Sequence, residues 1–115
     1  MVTLYGISNC DTVKKAKSWL MLHGIDFIFH DYKRMGITAK KLQDWCKKFG
    51  WDKVLNKNDM TYKKLQEGEK QVILNQASAI TYMLKATSSI KRPIVETSNG
   101  LLLGFVPNDY ENMFL

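Results

Sequence analysis

The sequence predicts an α/β fold in which a mixed four-stranded sheet forms in two halves, with a helical segment inserted between them. Two observations carry this prediction. A β-α-β pattern occupies the first 32 residues, and a β-hairpin followed by a short helix occupies the last 26. Between them the apolar residues recur at helical spacing.

The first half begins with a short apolar strand over residues 2–7 and a turn at Ser8-Asn9. An amphipathic helix begins at Asp11, and Gly24 is placed to cap its C-terminus. Residues 26–32 then predict a second strand. Because a helix connects the two strands, we expect them to pair in parallel.

The middle of the chain is predicted to be helical. Residues 33–36 interrupt the pattern, and Thr38 can cap a helix that ends at Gly50. One face of this helix is apolar, so Cys46 is interpreted as a buried residue. We expect a packed connection over 51–58, one helical turn over 61–65 and a long helix over 69–85, whose apolar residues are Val72, Ile73, Ala77, Ile80, Met83 and Leu84.

The second half changes to a strand period. Residues 90–96 and 101–105 flank the turn 97–100, and Asn-Gly within such a turn is a strong hairpin signal. Asn108 is expected to cap a last short helix. A βαβ unit joined to a ββα unit is the thioredoxin-like plan. We therefore predict one domain, with residues 1–33 and 88–115 as its core and 34–87 as the inserted helical segment.

The composition excludes several classes of function. No apolar run approaches the ~20 residues of a membrane span, and no export signal opens the chain, so we expect a cytoplasmic protein. The 17 Lys and Arg against 11 Asp and Glu give a charge of +6. These basic residues are dispersed pairs with few arginines, which does not favour nucleic-acid binding. Two Cys and two His without short paired spacing predict no metal site.

Cys10 is the candidate catalytic residue. It lies between the first strand and the first helix, beside unpaired backbone N–H groups and the positive end of the helix dipole. Both favour the thiolate, which is the nucleophilic form of cysteine. The alternative interpretation is that a small residue fills a tight turn. The negative charge of Asp11 opposes formation of the thiolate, although Asp11 can equally act in capping the start of the helix.

Two motifs give the chain a specific resemblance. Residues 6–16, GISNCDTVKKA, are followed about eighty residues later by residues 90–95, IKRPIV. Together they resemble the ArsC/Spx/MgsR family of arsenate reductase-like proteins. Within the family, residues 24–26, 30–32 and 102–105 are most similar to the short YffB-like proteins. The resemblance extends over essentially the whole chain.

The resemblance implies a thioredoxin-like fold in which Cys10 attacks an oxidised thiol or oxyanion substrate. It implies glutathione as the co-substrate that resolves the adduct, and glutaredoxin as a candidate partner. Arg92 would bind an oxyanion or a glutathione carboxylate, and Pro93 would be the cis-proline beside the thiol. The remaining substrate- or glutathione-binding candidates lie in the first motif: Asn9, Thr12 and Lys14.

The chain departs from the arsenate reductases at two positions. Those enzymes surround the anion with three arginines, whereas the matching positions here are Asn56 and Gly104-Phe105. Losing two charge-assisted contacts of roughly 1.5–3 kcal/mol each would lower oxyanion affinity by several powers of ten. A glutathione-dependent thiol reductase is therefore the leading hypothesis. The alternatives are a true arsenate reductase and an Spx-like regulator that binds RNA polymerase, although residues 10–13 lack the Cys-x-x-Cys of that redox switch.

Overall fold

The computed structural model describes residues 1–115, and its strands form one four-stranded sheet in the order β2-β1-β3-β4. The strands β1 and β2 pair in parallel, whereas β1–β3 and β3–β4 are antiparallel. The predicted mixed sheet with flanking helical elements is thus confirmed. The strands are β1 (Val2–Gly6), β2 (Phe27–Asp31), β3 (Ile94–Thr97) and β4 (Gly100–Leu103).

Helix α1 (Asp11–Leu22) connects the two parallel strands and supplies one side of the core. Its residues Val13, Ala16 and Leu20 recur at helical spacing and are fully buried. The helix ends at Leu22 with His23, rather than the predicted Gly24, as its C-cap, and Gly24 follows with φ 68°, a conformation that favours glycine. The three buried residues of α1 pack in one hydrophobic cluster with Leu4, Val95, Leu102 and Tyr110.

A short helix α2 (Tyr32–Met35) follows β2 directly, where the sequence predicted only an interruption. The carboxylate of Asp31 explains it. Its Oδ1 accepts hydrogen bonds from the backbone N–H groups of Lys33 and Arg34, at 3.0 and 3.3 Å. Asp31 thereby stabilises the first turn that follows the strand.

The chain divides into two units: residues 1–35 with 92–115, and residues 36–91. The sequence had placed the corresponding limits at 33/34 and 87/88. The second unit is helical, and its helix α3 begins after Thr38, whose side chain accepts from Lys41 N at 3.2 Å as predicted. Its helices are α3 (Ala39–Phe49), α4 (Trp51–Val54), α5 (Met60–Lys63), α6 (Glu67–Gln71) and α7 (Gln76–Lys85), followed by a 3-10 turn at Thr87–Ser89.

The prediction of one long helix over 69–85 was wrong, because the chain breaks between α6 and α7. Asn75 caps α7: its Oδ1 accepts from Ser78 N at 2.9 Å, while Asn75 N donates to the Ser78 hydroxyl at 3.1 Å. This reciprocal capping box outweighs the apolar periodicity. Val72 and Leu74 consequently lie exposed.

The hairpin is confirmed, and its turn lies at the predicted residues 97–100. Thr97 pairs with Gly100, so Ser98 and Asn99 are the two residues between β3 and β4. Helix α8 (Pro107–Phe114) begins with Pro107, and Val106 rather than Asn108 is its N-cap. Proline is favoured at that first position because its missing N–H would be unsatisfied anyway. None of the helices is long and apolar enough to span a membrane.

Candidate active site

Cys10 lies at the N-terminus of α1 and is the residue immediately before its first turn. Its backbone is extended, with φ −146° and ψ 124°, and its carbonyl oxygen accepts from Lys14 N at 3.0 Å. The Cys10 side chain makes no capping hydrogen bond to the helix. The thiol is half-buried against the edge of the hydrophobic cluster. It therefore lies beside the free N–H groups of the helix and remains open to a reactant.

The other candidates of the first motif surround this thiol in sequence and are all exposed. Asn9 lies in the bend before Cys10, while Thr12 and Lys14 lie in the first turn of α1. Their side chains therefore face solvent rather than the core. They are available for contacts with a bound substrate.

Arg92 and Pro93 lie immediately before β3. The Arg92–Pro93 peptide bond is cis, Pro93 is buried and Arg92 is half-buried. Pro93 O accepts from Gly104 N at 2.7 Å. Because β3 runs antiparallel to β1 and Ile94 pairs with Tyr5, the start of β3 adjoins the end of β1. The Arg-Pro motif and the loop that carries Cys10 are thus brought to the same edge of the sheet.

The two positions that depart from the arsenate reductases have structural partners of their own. Gly104 is buried, and its carbonyl oxygen accepts from the hydroxyl of the fully buried Tyr110 at 2.9 Å. The Phe105 ring packs edge-on against the Tyr110 ring, with 5.0 Å between centroids. In the helical unit, Asn56 accepts from Asn58 N at 3.1 Å. Both positions carry packing and turn interactions and supply no cation.

Cys46 lies on α3 and is only 3% exposed, as its apolar neighbours predicted. Burial raises the pKa of its thiol to about 11. Cys46 is consequently protonated at neutral pH and is a structural thiol.

A cleft of about 590 Å³ beside the Cys10 loop was not found from the sequence. It is lined by residues from the three segments around the parallel strands: Ser8, Lys17, Phe29, Asp31, Arg34 and Met35. A signal for it was present. The carboxyl ends of parallel neighbouring strands meet at one edge of a sheet, so the segments after β1 and β2 were bound to converge.

Comparison with known proteins agrees with this arrangement. The model of the ArsC family matches residues 5–113. The solved structure of a YffB protein superimposes with a TM-score of 0.92 at 45% identity, covering 97% of both chains. An uncharacterised protein of Haemophilus influenzae is 39% identical over 99% of both chains.

More distant similarity reaches the transcriptional regulators. The global transcriptional regulator Spx of Streptococcus pneumoniae is 25% identical over 91% of this chain and 79% of its own. Residues 5–113, which match the model of the ArsC family, include both of the motifs on which the resemblance rests. The fold is the thioredoxin-like one that these motifs implied. The chain belongs to the ArsC family.

Proposed function

We propose that this protein is a glutathione-dependent thiol reductase in which Cys10 is the nucleophile. The observation that carries the proposal is the Cys10 thiol itself, half-buried at the start of α1 and not engaged in capping the helix. A helix N-terminus favours the thiolate, and the thiolate attacks disulfides. The proposal places the protein in the cytoplasm, where thiols are kept reduced.

The reaction needs no second cysteine of this chain. The Cys10 thiolate attacks a disulfide R–S–S–R′, forming Cys10–S–S–R and releasing R′–S⁻. A glutathione thiolate then displaces R–S⁻ and leaves glutathione bonded to Cys10. A further glutathione thiolate releases Cys10 and forms glutathione disulfide. The substrate gains the electron pair that the two glutathione molecules lose.

External resolution follows from the environment of the other thiol. Cys46 is buried and its pKa is raised to about 11, so it supplies almost no thiolate at neutral pH. Position 13, where a Cys-x-x-Cys pair would place a partner, is the fully buried Val13. An exogenous thiol is therefore the resolving group.

The other site residues would bind the reactants. Arg92 lies at the same sheet edge as the Cys10 loop, where its guanidinium would hold a carboxylate or an oxyanion through paired hydrogen bonds. Pro93 would present the backbone beside it to an extended thiol peptide. The exposed Asn9, Thr12 and Lys14 would contact the substrate from the helix side.

The first prediction concerns the two cysteines. We expect the purified protein to accelerate reduction of bis(2-hydroxyethyl) disulfide by glutathione, measured through glutathione reductase and NADPH consumption. Cys10→Ser should reduce the rate to that of buffer, because the only accessible nucleophile is removed. Cys46→Ala is the matched control and should retain the activity, because Cys46 takes no part. Equal activity of Cys10→Ser and wild type would contradict the proposal.

Two alternatives have their own tests. The Spx similarity favours a regulator, which should bind recombinant RNA polymerase in a pull-down; a reductase should not be retained. An arsenate reductase should turn over arsenate with glutathione at millimolar substrate. We expect no such turnover, because Asn56 and Gly104-Phe105 stand where those enzymes place two of their arginines.

A further inference from the structure

The cleft beside the Cys10 loop has the dimensions and the location of a ligand site. Its volume of about 590 Å³ lies within the ~300–1,000 Å³ of small-molecule sites. Ser8, one of its lining residues, precedes Cys10 by only two positions. A molecule bound in the cleft would therefore lie next to the segment that carries the thiol.

The architecture holds the charged groups of this cleft in place. Gly6 pairs with Asp31 at the last position of the parallel strands, so α2 begins at the same sheet edge as the loop after β1. Asp31 is buried and fixes the backbone of Arg34 through its hydrogen bond of 3.3 Å. Lys17 reaches the cleft from α1, with its ammonium 3.5 Å from the centroid of the Phe29 ring.

The charges of the cleft remain available to a ligand. Neither Lys17 nor Arg34 forms an ion pair with a carboxylate. Both hydrogen bonds that Asp31 accepts from α2 end on its Oδ1, which leaves Oδ2 for another donor. The cleft thus offers two cations and one carboxylate oxygen.

We propose that this cleft binds the charged ends of the resolving thiol, with Lys17 and Arg34 each contacting a carboxylate. This inference rests on the proposed function and identifies where its co-substrate is recognised. Glutathione carries two carboxylates and one ammonium, which is the charge complement of Lys17, Arg34 and Asp31. An inorganic oxyanion would use only a small part of a cleft of this size.

The direct test measures binding without chemistry. S-methylglutathione cannot react with a disulfide, so its dissociation constant can be measured by NMR titration of the full ¹⁵N-labelled chain. We expect Lys17→Gln and Arg34→Gln each to weaken binding about tenfold, because each removes one charge-assisted contact. The matched controls are Lys15→Gln on α1 and Lys33→Gln on α2, exposed lysines that do not line this cleft.

The controls should stay within roughly twofold of wild type, as isolated surface charges do. The spectra of all four variants also report whether each one is folded. If the control and cleft substitutions weakened S-methylglutathione binding equally, the effect would come from net charge alone, and the inference would be overturned. Binding unchanged in Lys17→Gln and Arg34→Gln, or no binding by wild type, would overturn it as well.

A kinetic comparison separates this inference from the proposed function. Reduction of a peptide disulfide, followed by the appearance of the reduced peptide, is driven either by glutathione or by 2-mercaptoethanol, which has no carboxylate. We expect the cleft variants to raise the KM for glutathione about tenfold and to leave the 2-mercaptoethanol rate unchanged. Wild-type inactivity with both thiols would contradict the reductase. Normal glutathione kinetics in both cleft variants would contradict only the cleft.

Discussion

At the scale of single residues, the two cysteines differ because of where the fold places them. Cys10 is half-buried at a helix start, whereas Cys46 is buried on an apolar helix face. Desolvation disfavours the thiolate of Cys46 and raises its pKa to about 11. Cys46 is thus a packing residue, whereas the Cys10 thiol remains accessible.

The raised pKa of Cys46 predicts a loss of stability at alkaline pH. Above about pH 9 the unfolded chain releases this proton while the folded chain keeps it, so the unfolded state is increasingly favoured until about pH 11. By about pH 10.5 this contributes about 2 kcal/mol of destabilisation. Below pH 9 the group contributes no pH dependence.

Urea unfolding at about pH 8.5 and pH 10.5 measures this effect. Between the two pH values, the free energy of unfolding of Cys46→Ala should fall by about 2 kcal/mol less than that of wild type. This difference does not depend on how stable the variant is at about pH 8.5. An identical pH dependence in Cys46→Ala and wild type would show that the thiol is not desolvated in the folded protein.

At the scale of elements, the junction of β1 and α1 determines where the thiol lies. Gly6 ends β1, and α1 begins five residues later at Asp11. A Cβ on Gly6 would lie 2.8 Å from Val13 Cγ2, and Val13 is fully buried. The strand and the helix can approach this closely only because position 6 has no side chain.

Gly6→Ala should therefore destabilise the protein by about 1–3 kcal/mol, since a buried valine has no room to move. The matched control is Gly68→Ala in α6, where an added Cβ meets nothing within 4 Å. That change should be neutral or stabilising by up to about 1 kcal/mol. Urea denaturation compares the two, and a Gly6→Ala variant as stable as wild type would refute the close packing.

The elements also show what the sequence could and could not reveal. The β-α-β unit was predictable because the spacing of its apolar residues changes sharply between strand and helix. The N-cap role of Thr38 was predictable because a cap depends only on neighbouring residues. The break before α7 was missed because apolar residues continue through it, while a reciprocal Asn75–Ser78 hydrogen-bond pair stops the helix.

The candidate site likewise contains residues that were predictable from the sequence and residues that were not. Cys10 lies within one short contiguous motif and Arg92-Pro93 within another, and each motif could be recognised from the sequence alone. The Lys17 and Arg34 cleft depends on the parallel pairing of β1 and β2 and on a lysine that reaches across from α1. Such convergence of distant residues follows from the sheet topology and from no single motif.

At the scale of the whole molecule, the chain leaves the unit that contains Cys10 after residue 35 and re-enters it at Arg92. The two motifs that define the family thus belong to one unit, although more than fifty residues separate them. The charge of +6 suits an anionic co-substrate, since a net positive field favours its encounter with the protein.

The central claim is that Cys10 exchanges disulfides with glutathione, and intact-mass spectrometry tests it most directly. The reduced protein is incubated with glutathione disulfide, so that Cys10–S⁻ forms a mixed disulfide and releases one glutathione thiolate. Wild type and Cys46→Ala should each gain a single glutathione that excess reduced glutathione removes, and Cys10→Ser should gain none. An unmodified wild type, or an adduct that persists in Cys10→Ser, would contradict the account.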